Sequence, residues 1–234
     1  MMSEREKIFG RIREALRVRA PVPGAHHASH DGTVVQSVSE AESAQHIAEW
    51  LPAVGESFDQ RVELFRTNAL DLKANFHLLD DPDQLDDHLR GLAAQEGWKK
   101  LASHSDELTD RACAVLGLPR IATDHAYDVR ELESCDVGIS ACEALIAQTG
   151  SVLVSSRSSG GRALSVLPPH HLVLARREQL LPDLPAAFAL LKRKYHSDYP
   201  SLISFITGPS RTGDIERILV LGAHGPRRLT ILCL

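Results

Sequence analysis

From residue 60 to residue 232 the chain alternates between helix-period stretches and short apolar runs, and this alternation constrains the fold more than any other feature. A helical stretch over 60–73 precedes Asn75-Phe76-His77-Leu78-Leu79, one over 82–95 precedes Trp98-Lys99-Lys100-Leu101-Ala102, and one over 107–116 precedes Arg120-Ile121-Ala122. The short helical segment Val129-Arg130-Glu131-Leu132 leads to the runs Val137-Gly138-Ile139-Ser140 and Ser151-Val152-Leu153-Val154. His171-Leu172-Val173-Leu174 then precedes a long helix over 177–195, interrupted near Pro182 and Pro185. Runs over 202–206, 217–221 and 229–232 complete the set. Strands that alternate with helices are joined by crossovers, which places them in a mainly parallel, covered sheet. The predicted class is α/β, an open layered sheet with helices on both faces. The last two strands, joined through His224-Gly225-Pro226, read as antiparallel neighbours.

The first part of the chain reads differently. Ser3-Glu4-Arg5-Glu6 is a capping box, and Ile8, Ile12 and Leu16 fall on one stripe, which predicts an amphipathic helix over 3–18. Pro21, Pro23, Gly24 and Gly32 mark residues 19–35 as a linker. A second capping box, Ser39-Glu40-Ala41-Glu42, opens a helix that runs to about residue 51. The expected division is therefore 1–36, helix and linker, and 37–234, an α/β domain.

With 234 residues and 43% hydrophobic content, the chain can bury a sizeable core. Its 26 basic and 31 acidic residues give a net charge of −5, which supplies no basic field for nucleic acid. No apolar run approaches the roughly 18 residues of a spanning helix, and the charged N-terminus does not read as a secretory signal, so a cytoplasmic address is expected. Cys113, Cys135, Cys142 and Cys233 lack the C-x-x-C spacing of a zinc ribbon or iron–sulfur site and read as buried free thiols. The twelve histidines show no metal-ligand spacing either. No cofactor or metal is expected in this chain. The G-x-G-x-x-G, Walker A and G-x-S-x-G fingerprints are all missing.

The chemistry-bearing types concentrate after the runs that read as strands. Gly208-Pro209-Ser210-Arg211-Thr212-Gly213-Asp214-Ile215-Glu216 and Gly222-Ala223-His224-Gly225-Pro226 place two glycine turns, two hydroxyls, a guanidinium, a carboxylate and an imidazole within nineteen positions. A turn of this kind points amides outward and suits an anion. Arg211 offers a fork for carboxylate or phosphate, and Ser210 and Thr212 offer hydroxyl donors. Asp214 reads either as a helix cap or as a site residue, and His224 either as a turn-fixing residue or as a proton carrier. Two further loops, Thr149-Gly150-Ser151 and Gly160-Gly161-Arg162, leave strand ends as well, and Arg162 reads as a second cationic contact or as a solvated charge. Glu143 adds acid–base capacity on a short link between strands.

These segments resemble the lactate utilisation protein C family, the LUD-domain proteins. Besides the two glycine turns, the resemblance rests on Ala147-Gln148-Thr149-Gly150-Ser151 with Val152-Leu153-Val154, and on Arg162-Ala163-Leu164-Ser165-Val166-Leu167-Pro168-Pro169-His170-His171. It covers the chain from about residue 137 to the end. Gln148 stands where relatives usually carry Glu, and Gly213 where they often carry Ala. The resemblance implies a fold of the sugar-isomerase, ribose-phosphate-isomerase and CoA-transferase class. It also implies a role in oxidising lactate to pyruvate beside iron–sulfur partner subunits, which would carry the clusters. On that reading the chain binds a small carboxylate or other anion through Arg211, Ser210, Thr212, Arg162, Thr149, Gly150 and Ser151, with His224 and Asp214 as catalytic candidates. Two other readings stay open: a free-standing enzyme on a sugar-phosphate or acyl substrate, and a non-catalytic assembly subunit.

Overall fold

A computed structural model describes residues 53–213, 219–221 and 225–234, with side chains described from Ala53 to Arg211 and again from Gly225. These residues belong to one compact unit, Leu51–Leu234. The helix expected over 3–18, the linker, the helix over 39–51 and the boundary between 36 and 37 lie outside the described residues.

Each α-helix begins where a polar side chain satisfies the free amides of its first turn. Ser57 and Gln60 form a capping box on α1 (Phe58–Asp71), and Asp81, followed by Pro82, opens α2 (Pro82–Glu96). Asp106, Asp128 and Asp183 cap α3 (Glu107–Leu116), α4 (Val129–Glu133) and α5 (Leu184–Tyr195). The strands follow in chain order as β1 (Asn75–Leu78), β2 (Leu101–Ser103), β3 (Arg120–Ala122), β4 (Val137–Ala141), β5 (Ala144–Ile146), β6 (Ser151–Ser155), β7 (His170–Ala175), β8 (Leu180–Leu181), β9 (Ile203–Ile206), β10 (Arg211–Gly213), β11 (Leu219–Leu221) and β12 (Arg228–Cys233).

Six of them form an all-parallel sheet in the order β1-β12-β7-β4-β2-β3. Its inner strands β12, β7, β4 and β2 are buried on both faces, which explains their nearly continuous apolar runs, while the edge strands β1 and β3 are partly exposed. On one face Leu101, Val137, Ile139, Leu172, Leu174 and Leu232 pack with Leu85 and Leu89 of α2 and Ala112 of α3. On the other, Phe76, Val173, Ala175 and Ile231 pack with Val62, Phe65 and Ala69 of α1 and with Leu145, Val152 and Val154 of a second sheet. That second sheet, β8-β5-β6-β9, is mixed, and its far side is covered by Ala187, Leu191 and Tyr195 of α5. Full burial of each such aliphatic side chain contributes about 1.5–3 kcal/mol before entropy is counted.

The expected α/β class with an open, helix-covered parallel sheet is what the structure has. Two expectations on connections are corrected. β12 lies between β1 and β7 in the parallel sheet, so it is no neighbour of β11, which pairs antiparallel with β10. The reason is burial: Leu229 to Cys233 are buried residue by residue, a pattern that suits a central parallel strand and not a half-exposed hairpin. The helix expected over 177–195 begins only at Leu184; before it come a 3₁₀ turn, Arg177–Gln179, and β8, because Pro182 cannot donate within a helix and Asp183 restarts one.

Candidate functional site

In the parallel sheet the chain steps from β2 outward to β3 and returns on the opposite side of β2 as β4. The strand order therefore reverses at β2 and β4, and the crevice beyond the carboxyl ends of strands at such a reversal is where open α/β sheets bind ligands. A half-open cleft of about 370 Å³ lies there, within the range of small-molecule sites. Three loops build it. His104, Ser105 and Asp106 follow β2 and lead into α3; Thr123 and Asp124 follow β3; Ser156 to Ser158 with Gly160 and Gly161 follow β6.

The wall is fixed by hydrogen bonds to backbone. The Ala141 amide donates to His104 Nε2 at 2.9 Å, tying the ends of β2 and β4 together. An amide can only donate, so Nε2 is an acceptor and the ring proton sits on Nδ1. Burial lowers the His104 pKa, against the opposing pull of Asp106 and Asp124, so the ring is neutral and structural. Asp106 accepts from the Leu108 amide, and Asp124 accepts from the Ser105 amide at 2.8 Å. Burial pushes the Asp124 carboxyl up, but the Ser105 amide and hydroxyl outweigh it and hold the pKa below the usual range. Gly160 closes the wall at φ 77°; a Cβ there would sit 2.8 Å from Thr123 Oγ1 and 3.2 Å from His104 Cβ. Only glycine permits that approach.

Behind the third loop lies Glu143, whose side chain is 1% exposed. Its carboxylate accepts from Ser155 Oγ at 2.7 Å and from Lys194 Nζ at 2.5 Å, and also from Ser158 Oγ and Tyr195 OH. Burial raises its pKa, yet the hydrogen bonds from Lys194, Ser158, Tyr195 and Ser155 win and keep it ionised, below the ordinary range. Glu143 thus anchors the Ser155–Ser158 turn to the end of α5. It reaches the cleft through Ser158 directly and through Ser155, whose hydroxyl accepts from the Arg157 amide.

Thr149, Gly150, Ser151, Ser210 and Arg211 gather elsewhere, around the last turn of α1. Gly150, at φ 64°, makes the turn between β5 and β6 so close to α1 that a Cβ would lie 2.8 Å from Asn68 Cβ. Asn68 Nδ2 in turn donates to the Ala147 and Gln148 carbonyls at 2.9 and 3.0 Å. Thr149 Oγ1 donates to Ser151 Oγ, which meets Thr207 Oγ1 at 2.8 Å. Gly208 packs on the Leu72 carbonyl, and Arg211, exposed at its head, donates to that same carbonyl. A cation on the last carbonyls of a helix complements its dipole, so Arg211 has a structural partner here. The Ser210 amide donates to Pro226 O at 2.8 Å, which brings the two glycine turns together. Asp214, His224 and the Thr212 side chain lie outside the described residues.

Arg162 is the exception. It is exposed and follows Gly161, beyond the carboxyl end of β6, whereas Thr149-Gly150-Ser151 lies at the start of that strand. The described residues of the four loops read from sequence therefore sit at two places. His104, Asp106, Thr123, Asp124 and Ser158 were not legible as site residues; only Gly160-Gly161 signalled that cleft.

The LUD domain family model matches residues 62–234. The chain belongs to the LUD-domain family. Among curated relatives, Lactate utilization protein C of Bacillus licheniformis is 33% identical over 101 residues, 42% of each chain. The proteins of the same name from Geobacillus kaustophilus and Halalkalibacterium halodurans are each 36% identical, over 41% of both chains and over 43% of this chain and 44% of that one. The matched stretch thus spans less than half the length of these relatives. A solved structure, of a DUF162 family protein from Deinococcus radiodurans, superposes with a TM-score of 0.59 at 17% identity, covering 76% of this chain and 99% of that one. That likeness places the LUD fold on the layered α/β architecture described above. Among the described residues no helix is long and apolar enough to cross a membrane.

Proposed function

We propose that this LUD-domain chain is a component of a cytoplasmic lactate-oxidising system, acting beside iron–sulfur subunits that receive the two electrons released when lactate becomes pyruvate. The observation that carries this reading is family membership together with the name its relatives share, Lactate utilization protein C. Cysteine chemistry supports placing the clusters in partners. Cys142 and Cys233 are buried free thiols whose pKa burial pushes up, to about 11 for Cys233, and none of the four cysteines has cluster spacing.

The chain's own contribution, on this reading, is to bind a small carboxylate at the turn from Gly208 to Glu216. The contact between Ser210 and Pro226 supports it, since it sets the two family turns side by side, and so does the exposed guanidinium of Arg211 at that junction. Arg211 would hold the carboxylate, Ser210 and Thr212 would add hydroxyl donors, and Asp214 and His224 are the candidates for moving the lactate hydroxyl proton. Reconstitution tests the proposal: the chain mixed with its iron–sulfur subunits should support lactate-dependent reduction of a dye, and omitting the chain should abolish it. Equal rates with and without the chain would refute the reading.

A further inference from the structure

The end of α1 and the two glycine turns carry more positive charge than a single carboxylate uses. Arg211 is exposed, and its guanidinium rests on the Leu72 carbonyl, a partner without charge. Gly208, at φ 90°, leaves that guanidinium room, since a Cβ there would lie 3.2 Å from Arg211 Nη2. Lys73 is the residue after Leu72, and Arg227 follows Pro226, whose carbonyl takes the Ser210 amide. Sheet register brings these two together: Asn75 of β1 lies beside Thr230 of β12 in a parallel pair, so Lys73 and Arg227 precede neighbouring strands at the same end of the sheet. Both are exposed, and among the described residues neither they nor Arg211 hold a carboxylate, whereas Arg120, Arg157, Arg176, Arg177 and Arg228 each hold one. Asp71, the acidic residue at this end of α1, is exposed and is in no ion pair with them. The whole chain carries a net charge of −5, so this local excess does not follow from composition. Lys73 also sits in the left-handed region, at φ 65°, where a side chain is disfavoured; at the ends of α2 and α3 the residues in that region are Gly97 and Gly117.

From this arrangement we propose that the junction binds a doubly charged anion, a phosphate monoester or a dicarboxylate, more tightly than a monocarboxylate, with Lys73 and Arg227 joining Arg211 as binding residues. The proposal rests on the reading of this turn as the chain's anion site. A monocarboxylate is matched by the Arg211 fork alone and leaves two cations beside it without a counter-charge. A second negative charge on the same ligand gives them a partner. Dianions then compete with lactate for the turn and regulate the lactate step by occupying it.

Amide NMR on the full chain at pH 8 tests the proposal with lactate, malonate and glycerol phosphate as separate probes. Shifts at Gly208, Ser210 and Gly225 should saturate at about tenfold lower concentration with a dianion than with lactate, the equivalent of one charge-assisted hydrogen bond. An advantage shown by one dianion alone supports the proposal and names the second group as carboxylate or phosphoryl. Lys73→Gly should remove most of the advantage while the melting temperature holds or rises, because glycine suits the left-handed backbone. Arg227→Gln should reduce the advantage as well, with the fold unchanged. Dianions no tighter than lactate, or a folded double variant that keeps the full advantage, would overturn the proposal and leave the lactate reading standing. Dianion shifts without lactate shifts would uphold it and overturn the lactate reading; no shift with any probe would overturn both.

Discussion

Two regions of this molecule carry concentrated polar chemistry, and they are built in different ways. Around the last turn of α1 the polar residues come from contiguous segments, 147–151 and 207–213, and glycines bring the backbone close. At the switch-point cleft the same density of polar groups is assembled from three loops at 104–106, 123–124 and 156–161, each following a different strand. The first region is tied down by side chain to backbone contacts, such as Asn68 on the Ala147 and Gln148 carbonyls and Arg211 on that of Leu72. The second is tied by a buried carboxylate and a neutral histidine, and it keeps an open volume. A motif that stands out in a sequence can therefore mark where the backbone must bend, while a crevice is written one or two residues at a time.

Substitutions sharpen that contrast. The largest effect is expected at Glu143. Glu143→Gln leaves the Lys194 ammonium and three hydroxyls without their ionised acceptor and should lower stability by about 3 kcal/mol, discounted to that level because Lys194 is 45% exposed. Because the folded pKa of Glu143 is depressed, its contribution is present above the unfolded pKa and is lost as pH falls through the folded one. Urea denaturation at pH 7 and at pH 3 should therefore show the difference between wild type and variant shrinking in acid. A pH-independent difference would make Glu143 a packing residue only.

Gly150→Ala comes next, at about 2 kcal/mol, from a left-handed φ and a Cβ pressed on Asn68. If the first region is held by its backbone, thermal unfolding will show this loss of stability without a loss of the native amide signals at Ser105, Thr123 and Gly160. A loss of both would merge the two regions into one unit.

The paired histidines of β7 give a third effect, in acid. Burial lowers His170 to about 4, and burial together with the adjacent His170 lowers His171 to about 3. Each is neutral when folded and gains a proton on unfolding below its ordinary pKa, so stability should fall as pH drops from about 6.5 toward 4. The slope is up to about 1.4 kcal/mol per pH unit for each histidine. Replacement of both by glutamine should flatten this limb of a chemical denaturation series; an unchanged limb would assign it to carboxylates instead.

The smallest effect is expected at Arg211. As a partner of the α1 C-terminus its truncation to alanine should cost no more than about 1 kcal/mol. A loss of several kcal/mol would make it a core ion and remove the case for a ligand role.

Much of the fold was legible because parallel strands are buried on both faces. Val137-Gly138-Ile139-Ser140, His171-Leu172-Val173-Leu174 and Leu229-Thr230-Ile231-Leu232 each read as uninterrupted runs, and all three are central strands of the main sheet. The second sheet was harder. Ala144–Ile146 and Leu180–Leu181 are only three and two residues long, and Leu180 sits in a stretch whose periodicity is helical up to Pro182. The partners of β12 were misread because a short link to the preceding strand suggests a hairpin, and the decisive fact, burial on both faces, comes from strands far apart in the chain. The cleft carries no contiguous motif comparable to Thr149-Gly150-Ser151: His104, Thr123 and Asp124 are ordinary polar residues after short strands, and nothing local distinguishes them from solvated loop positions. The same holds for Glu143, whose burial depends on Lys194 and Tyr195, 51 and 52 residues later.

The central claim is that the carboxylate of the proposed lactate function and the switch-point cleft occupy different places. Titration of the full chain with lactate, followed by amide NMR, tests it most directly. Shifts should appear at Gly208, Ser210, Arg211 and Gly225, vanish in Arg211→Ala, and leave Ser105, Thr123 and Gly160 unmoved. Lactate shifts at Ser105, Thr123 and Gly160, with the Gly208 turn silent, would contradict it.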